Sequence, residues 1–257
     1  MKTKRIKNFE WRYAILVIFI LGSFIWVLTL SPMPQPQSYH AFTDTRMFLG
    51  IPNILNVFSN ILFLIVGLLG IQFCIHHDLV GAKNAWLLFF VGILLVSIGS
   101  AYYHWNPNNT TLVWDRLPMT MGFMGLLIAL LSEYVDTRLG NNILLLSALL
   151  FGSATVVYWH WTDDLRFYLW VQFLPLIIIV LLVSLLKSSY PGQWIILLVL
   201  AFYILAKITE IYDTEIYNLT NNLISGHTIK HCLAAISCYF VLLMLRQREI
   251  RNNNLII

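Results

Sequence analysis

Eight long apolar stretches are the feature that most constrains the fold of this chain. Each has about 20 residues, which is the length that an α-helix needs to cross the hydrocarbon core of a bilayer. Hydrophobic residues make up 59% of the chain and charged residues only 11%, whereas soluble domains carry roughly 25% charged residues. We therefore predict an all-α, polytopic membrane helix bundle with short connections. The predicted spans are residues 13–31, 53–75, 85–104, 117–134, 142–160, 167–186, 193–212 and 227–246.

The basic residues predict how these spans are oriented. Eleven of the sixteen precede the first span, follow the last one or lie in the even-numbered loops: Lys2, Lys4, Arg5, Lys7, Arg12, Lys83, Arg138, Lys187, Arg246, Arg248 and Arg251. The opposite loops carry Arg46, Arg116 and Arg166 beside Asp44, Asp115, Asp163, Asp164, Asp213 and Glu215. The positive-inside rule then places both termini in the cytoplasm. Because the basic residues lie in loops rather than on one face, we expect no nucleic-acid partner.

Polar residues that are rare in membrane helices gather near the outer ends of three predicted spans. The third span ends in "SIGSAYYHW", which places Ser100 and His104 one turn apart on the same helix face. The stretch "WDRLPMT" places Asp115 just before the outer start of the fourth span. The eighth span begins at "GHTIKH", so His227 and His231 also share a face near the outer end. We expect these five side chains to meet at one depth.

The histidine pair of the last span has two interpretations. The two rings could hydrogen-bond backbone carbonyls between packed helices, or they could bind a metal ion. Ionisable groups inside a membrane are costly and usually serve a function. A third histidine, a carboxylate and a hydroxyl at the same depth favour metal binding. The remaining histidines, which lack such neighbours, are predicted to be interfacial or packing residues: His40, His76, His77 and His160.

Three neutral imidazoles predict a particular chemistry. They leave one position open in a tetrahedral zinc site, as catalytic zinc sites do, and zinc lowers the pKa of a bound water from about 15.7 toward 7. Asp115 could take a proton from this water or orient it. Ser100 could donate a hydrogen bond to an oxyanion or to the water. The set suits hydrolysis of an acyl bond, and its place in the bilayer suits a lipid substrate.

Three segments carry a resemblance to a known family. "GSAYYHW", "VWDRLPM" and the late "HTIKH" resemble the alkaline ceramidases of the CREST superfamily, which are seven-helix membrane hydrolases. The resemblance covers about residues 50–246, and "NVFSNILFLIVGL" at 56–68 is similar to the first core helix of the family. "LAKITEIYD" at 205–213, followed by "SGHTIKH", resembles bacterial members. An integral protein of a bacterial inner membrane, with its active site toward the periplasm, is the expectation that follows.

The resemblance also implies roles for single residues. By it, His104, His227 and His231 are zinc ligands, Asp115 is the general base or water-orienting group, and Ser100 is the oxyanion or water partner. The family reaction is hydrolysis of the ceramide amide to a long-chain base and a fatty acid. The implied partner of this chain is therefore a membrane lipid, either ceramide or another N-acyl lipid.

Two departures from the family pattern stand out. The first span is additional to a seven-helix core, which divides the chain into an N-terminal anchor (1–35), the core (36–247) and a cytoplasmic tail (248–257). The eukaryotic enzymes also have an acidic Ca²⁺ cluster before the first core helix. Here "FTDTRMFLGIPNILN" offers Asp44, Asn53 and Asn56 but no glutamate, which argues against Ca²⁺.

Three further polar residues near the seventh span have open roles. Lys207, Glu210 and Asp213 could line the outer entrance or contribute to a second metal site. Equally, Lys207 and Glu210 could be a plain surface pair with i,i+3 spacing.

Other classes of function compete with a zinc-dependent amidase. One is a receptor-like or regulatory membrane protein with little turnover, and another is a histidine-ligated haem protein or a metal transporter. A transporter would favour polar groups strung across the whole bilayer, whereas these cluster at one end. The chain has no Gly-x-Ser-x-Gly elbow, which argues against a serine hydrolase. The zinc-dependent amidase is the favoured hypothesis.

Overall fold

The computed structural model describes residues 11–79, 82–187 and 192–254 and forms an all-α bundle. Its helices are α1 (Trp11–Thr29), α2 (Ile54–Phe58), α3 (Ile61–His76), α4 (Lys83–Trp105), α5 (Asn109–Tyr134), α6 (Asn142–Thr162), α7 (Arg166–Leu185), α8 (Gln193–Ile211), α9 (Asp213–Leu219) and α10 (Gly226–Asn254). The described residues contain no β-strand. The prediction of an all-α polytopic bundle is confirmed. Four of the basic residues used for orientation lie outside the described residues: Lys2, Lys4, Arg5 and Lys7.

Eight helical segments in the described part of the chain are long and apolar enough to cross a membrane, as predicted. Helices α2 and α3 together make one of these segments, with a break at Ser59 and Asn60. Both residues at the break hydrogen-bond the carbonyl of Asn56, Ser59 through Oγ at 3.0 Å and Asn60 through Nδ2 at 2.8 Å. The side chains thus satisfy backbone groups that the interrupted helix leaves free, a requirement that lipid surroundings make strict.

Helix α5 starts eight residues before the predicted span, and this corrects the position of Asp115. The side chain of Asn108 accepts hydrogen bonds from the backbone N–H groups of Thr110 and Thr111, and the backbone N–H of Asn108 donates to the hydroxyl of Thr111, which makes a capping box. The polar stretch after Asn106 is therefore a helix cap and first turn rather than a loop. Asp115 and Arg116 are buried inside the helix, so the prediction that they precede it is wrong.

The contact between α4 and α5 is the most extensive in the bundle. Pro118 lies inside α5 and has no N–H to bond the carbonyl of Trp114, four residues earlier. This carbonyl lies against Gly99 of α4, where an added Cβ would come within 1.9 Å of the oxygen. An added Cβ at Gly92 would lie 2.6 Å from the backbone nitrogen of Gly122. Small residues let membrane helices approach closely, and here they bring together the two helices that carry Ser100, His104 and Asp115.

The remaining helices surround this pair. Helix α5 also packs against α6 and α7, and α10 packs against α8 and α3. Helix α1 lies at the edge of the bundle against α7 and is mostly exposed. The segment after α1 is fastened to the α6–α7 connection, since the backbone N–H groups of Met33 and Gln35 donate to Asp164 and Asp163. These hydrogen bonds attach the segment after α1 to the rest of the bundle.

A buried ion pair ties three helices together at the end opposite the histidines. Arg248 of α10 lies 2.7 Å from Glu133 of α5, and both side chains are 5% exposed. Trp86 of α4 donates its indole N–H to the same carboxylate at 2.9 Å. The last span was predicted to end at residue 246, but α10 continues to Asn254, and Arg248 belongs to the packed bundle.

Gly99→Ala should destabilise the protein, because its methyl group would collide with the backbone carbonyl of Trp114 rather than with a movable side chain. We expect a loss at or above the roughly 1–3 kcal/mol typical of overpacking, measured as a lower midpoint of thermal unfolding in detergent. Gly22→Ala in α1 is the matched control, since nothing lies within 4 Å of its added Cβ. Equal midpoints for the two variants would contradict the proposed close contact.

Candidate metal and catalytic site

His104, His227 and His231 form a buried cluster near one end of the bundle. One ligand atom from each ring lies within 4.8 Å of the other two. The ring centroids make a nearly equilateral triangle, with sides of 4.8, 4.9 and 5.0 Å. The predicted convergence of α4 and α10 is therefore correct. A hydrogen bond between two imidazoles would explain one side of this triangle but not all three.

The start of α10 is held by carboxylate and hydroxyl groups. Asp213 accepts a hydrogen bond from the backbone N–H of His227 at 2.7 Å, and Ser225 Oγ accepts one from Thr228 N at 3.2 Å. These acceptors satisfy N–H groups that the first helical turn leaves without partners. At Gly226 the chain lies so close to α8 that an added Cβ would meet the carbonyl of Thr209 at 2.2 Å. The direction in which both histidines point is thus fixed by the cap.

A hydroxyl at the break between α2 and α3 orients the ring of His231. Ser59 Oγ lies 2.7 Å from His231 Nδ1 and donates its own proton to the carbonyl of Asn56. The hydroxyl is therefore left to accept from Nδ1–H, which leaves Nε2 of His231 unprotonated and able to bind a metal. Hydrogen bonds of this kind set the tautomer of metal-binding histidines. Ser59 was not predicted, and only its place in a polar interruption of an apolar span could have drawn attention to it.

The donor atoms fit a zinc ion. Nε2 of His104 and Nε2 of His227 are 3.3 Å apart, and two ligands at Zn–N distances of about 2.0–2.1 Å in tetrahedral geometry are separated by roughly 3.3–3.4 Å. Nδ1 of His104 is buried without a hydrogen-bond partner among the described residues. Phe42 packs on both rings, with centroid distances of 4.6 and 4.7 Å, and covers the cluster. Three neutral imidazoles in such a dry setting suit a borderline-soft divalent cation.

A cavity of about 190 Å³ brings the other predicted residues to this cluster. Ser100, Asp115 and His231 all line this cavity, and the Ser100 side chain interacts with the Asp115 carboxylate. Asp115 is only 8% exposed and Ser100 only 2%. The carboxylate, the hydroxyl and one of the three histidines therefore line one space, and His104 and His227 adjoin it through their contacts with His231.

Away from these groups the cavity is apolar and deep. From Ser100 to Phe89 on α4, from Asp115 to Leu126 on α5 and from Glu210 to Val199 on α8, its lining extends eleven residues along each helix. This distance corresponds to about 16 Å at 1.5 Å per residue, which is roughly half of a 30 Å hydrocarbon core. The cavity has the form expected for an extended acyl chain.

A group of charged side chains lines the same cavity, and their contacts bear on the two interpretations of Lys207 and Glu210. Glu210 contacts Lys207 and lies 2.6 Å from Lys230, and its side chain is 12% exposed. Tyr39 donates its hydroxyl to Glu210 at 3.3 Å, and burial raises the pKa of this phenol well above its ordinary value, so that it remains a donor. All four side chains line the cavity, so Lys207 and Glu210 belong to a larger group and are more than an isolated i,i+3 pair. Lys230 and Tyr39 were not assigned to the site from sequence.

The remaining candidates for a second metal site are engaged in scaffold contacts. Asp44 forms an ion pair with Arg46 at 2.7 Å, and Asp213 caps α10. Asn53 donates to the carbonyl of His104 at 2.8 Å, and Asn56 accepts from the hydroxyl of Thr228 at 2.7 Å. Asp213 and Asn53 thus hold the backbone of His227 and His104, and among the described residues Asp44 and Asp213 belong to no second group of possible metal ligands.

Three of the histidines predicted to be interfacial or packing residues have local partners. His40 is bound by the hydroxyl of Tyr103 and by Asn109, each at 2.9 Å. His76 and His77 contact the carbonyls of Gln72 and Phe73 on their own helix, at 2.8 and 2.9 Å. In the described residues these rings take no part in the three-histidine cluster.

The comparison with protein families gives one match. A family model described as Ceramidase matches residues 48–254, which begins after α1 and extends to the end of α10. No curated protein matches the chain. All five residues at the centre of the site lie inside the matched range.

Gently purified protein should contain close to one equivalent of a transition metal, because the three histidines form one site. His231→Ala should lose this metal and His76→Ala should keep it, since His76 contacts only its own helix. Elemental analysis of the parent and both variants measures the result. Metal retained by His231→Ala at the level of the parent would contradict the assignment of the ligands.

Proposed function

Because this chain belongs to the Ceramidase family, we propose that it is an integral-membrane, zinc-dependent hydrolase. Its reaction is cleavage of the amide bond of ceramide or a related N-acyl lipid to a long-chain base and a fatty acid. The single observation that carries this proposal is the shared cavity. Ser100, Asp115 and His231 line the polar end of a space that is otherwise apolar and enclosed by membrane helices.

The shape of the cavity supports a substrate position in which the acyl chain fills the apolar part and the amide lies at the polar end. An acyl chain in the apolar part contacts Phe89, Ile93 and Leu126, whose burial excludes water from the chain. The amide then lies at the polar end, beside Asp115 and Ser100. Binding energy from an unreactive chain of this kind can orient the reacting group.

The roles of the polar residues follow from their chemistry. When bound by His104, His227 and His231, zinc would supply Lewis acidity toward the amide oxygen and make a water more acidic. Asp115 is an anionic acceptor that takes the proton from the attacking water and can pass it to the leaving amine. Ser100 interacts with the Asp115 carboxylate and is a hydrogen-bond donor for the oxygen on which negative charge develops.

The fold also supports proposals about domains and orientation. The family match begins after α1 and extends to residue 254, so we assign residues 1–35 to an additional anchor and residues 36–254 to the hydrolase core, which moves the predicted boundary at residue 247 to the end of α10. The basic ends of the chain assign both termini to the cytoplasm. The histidine cluster then faces the outer side of a bacterial inner membrane.

Asp115→Asn should retain the metal, because Asp115 is not among the three ligands, but turnover should fall by roughly 10²–10⁴, as for lost acid–base assistance. Ser100→Ala should also retain the metal and lose on the order of 10²–10³, as for one lost oxyanion donor. The measurement is lipid mass spectrometry after incubation with a mixed lipid extract, together with elemental analysis. If Asp115→Asn hydrolyses ceramide as fast as the parent, Asp115 is not the base.

The same assay separates the enzyme from the receptor-like alternative. A signalling protein would leave every N-acyl lipid in the extract intact while still binding metal. Release of fatty acid by the parent, its loss in His231→Ala and its retention in His76→Ala would together support the hydrolase.

A reporter fused to the C-terminus should be active in the cytoplasm, because eleven of the sixteen basic residues lie on that side in the proposed orientation. A reporter fused within the α9–α10 connection should be active only on the opposite side. A C-terminal fusion that is active only outside the cytoplasm would reverse the orientation and move the histidine cluster to the other leaflet.

A further inference from the structure

Arg116 is a buried cation in the cavity without a carboxylate partner. Its residue is 5% exposed, its side chain lines the cavity, and it forms no ion pair within the described part of the chain. Nη2 donates to Gln35 Oε1 at 2.6 Å. Nη1 has no hydrogen-bond partner among the described residues. Burying a charged donor without an acceptor is costly, so this arrangement calls for a ligand.

Aromatic rings pack against the guanidinium of Arg116 but do not satisfy its hydrogen-bonding capacity. The Arg116 Cζ atom lies 4.1 Å from the ring centroid of Trp159, 4.6 Å from that of Tyr168 and 5.7 Å from that of Tyr39. Rings stacked over a guanidinium contact its faces, whereas its N–H groups point outward in its own plane. The rings and Gln35 therefore fix the orientation of the fork and leave Nη1 available to an acceptor.

The neighbouring charges favour an anionic acceptor. Both carboxylates of the cavity are already engaged, Glu210 with Lys207 and Lys230 and Asp115 with Ser100. Three cations face these two carboxylates, before any metal ion is counted. A carboxylate or phosphate would remove the excess positive charge, and either accepts hydrogen bonds from an arginine fork.

We propose that Arg116 binds an anionic group, a carboxylate or a phosphate, on the head group of the lipid substrate. The inference rests on the proposed hydrolase function and deepens it, since it specifies the class of N-acyl lipid. The acyl chain occupies the apolar depth between α4, α5 and α8, and the amide lies beside Asp115. Arg116 follows Asp115 directly and is packed against Trp159 of α6 and Tyr168 of α7, so it faces the half of the lipid that carries the amine.

The segment after α1 takes part in this site. Gln35 is 4% exposed, and its backbone N–H is held by Asp163 at 3.0 Å. Its amide oxygen is therefore a fixed acceptor that orients Arg116. Gln35 is a positioning residue: it acts on the substrate through the arginine.

Two matched pairs of lipids test the proposal on the full-length protein with its metal. One pair is ceramide 1-phosphate and ceramide, and the other is N-palmitoylglycine and N-palmitoylglycinamide. The members of each pair share an acyl chain and differ in the charge of the head group. The parent should show a higher kcat/KM for the anionic member of at least one pair, by about 10- to 100-fold, as expected for a hydrogen bond to a charged group.

Arg116→Gln should abolish this preference, so that the ratio of kcat/KM values for the two members approaches one. Arg116→Lys should restore part of the ratio, because it retains the charge but loses the planar fork. Arg138→Gln is the matched control: it removes an exposed arginine in the turn that follows α5 and should retain the ratio of the parent. A preference for the neutral lipids in the parent, or a ratio unchanged by Arg116→Gln, overturns the proposal.

The fatty acid product is the other source of a carboxylate. If Arg116 binds the product, charged and neutral substrates react equally, and palmitate inhibits the parent more strongly than it inhibits Arg116→Gln. That result overturns the assignment to the head group.

If the parent hydrolyses neither pair, the proposed function fails. The anion site is then tested separately, by measuring how far the same lipids raise the midpoint of thermal unfolding. Stronger stabilisation by the anionic members, lost in Arg116→Gln, supports the site, and equal stabilisation overturns it.

Discussion

The contact between the Trp114 carbonyl and Gly99 is the constraint on which the site depends. Pro118 leaves this carbonyl without its helical partner, and only a residue without a side chain lets the second helix come so near. Ser100 follows Gly99 directly, and Asp115 follows Trp114. The close contact thus places the hydroxyl beside the carboxylate, and the interaction between Ser100 and Asp115 adds to this placement. His104 lies one turn further along α4, on the face that meets α10.

The histidine cluster depends on a second layer of side chains from distant parts of the chain. Asp213 fixes the first turn of α10, Ser59 fixes the tautomer of His231, and Asn53 binds the backbone of His104. Two of these groups have a further hydrogen bond: Asp213 also accepts from the backbone of Thr43, and Ser59 donates to the carbonyl of Asn56. The ring positions are therefore set before any ligand binds. Because groups placed in this way need not rearrange during the reaction, the free-energy cost of reorganisation is lower.

Elements with a periodic pattern of residues could be predicted from the sequence, whereas features that depend on a few particular residues could not. Eight apolar segments and the i,i+4 spacing of His227 and His231 follow from helix geometry alone, and the structure confirms both. The start of α5 was misplaced because a capping box has the composition of a loop. Arg116 was consequently interpreted as a charged loop residue, although it is buried in the cavity. Ser59 and Gln35 could not be predicted as parts of the site, since their contacts join residues more than eighty positions apart.

The buried charges next to the histidines explain how a lysine can lie between two candidate metal ligands of α10. An ammonium close to a divalent cation would weaken metal binding by repulsion, and the low dielectric constant of the bundle would increase this effect. Lys230 is instead held by Glu210 at 2.6 Å, and Glu210 in turn contacts Lys207 and Tyr39. The carboxylate thus draws the lysine charge toward α8, which leaves the histidines to face one another. The same pairing leaves Arg116 without an ion pair among the described residues, and this arrangement, rather than the number of basic residues, favours an anionic lipid.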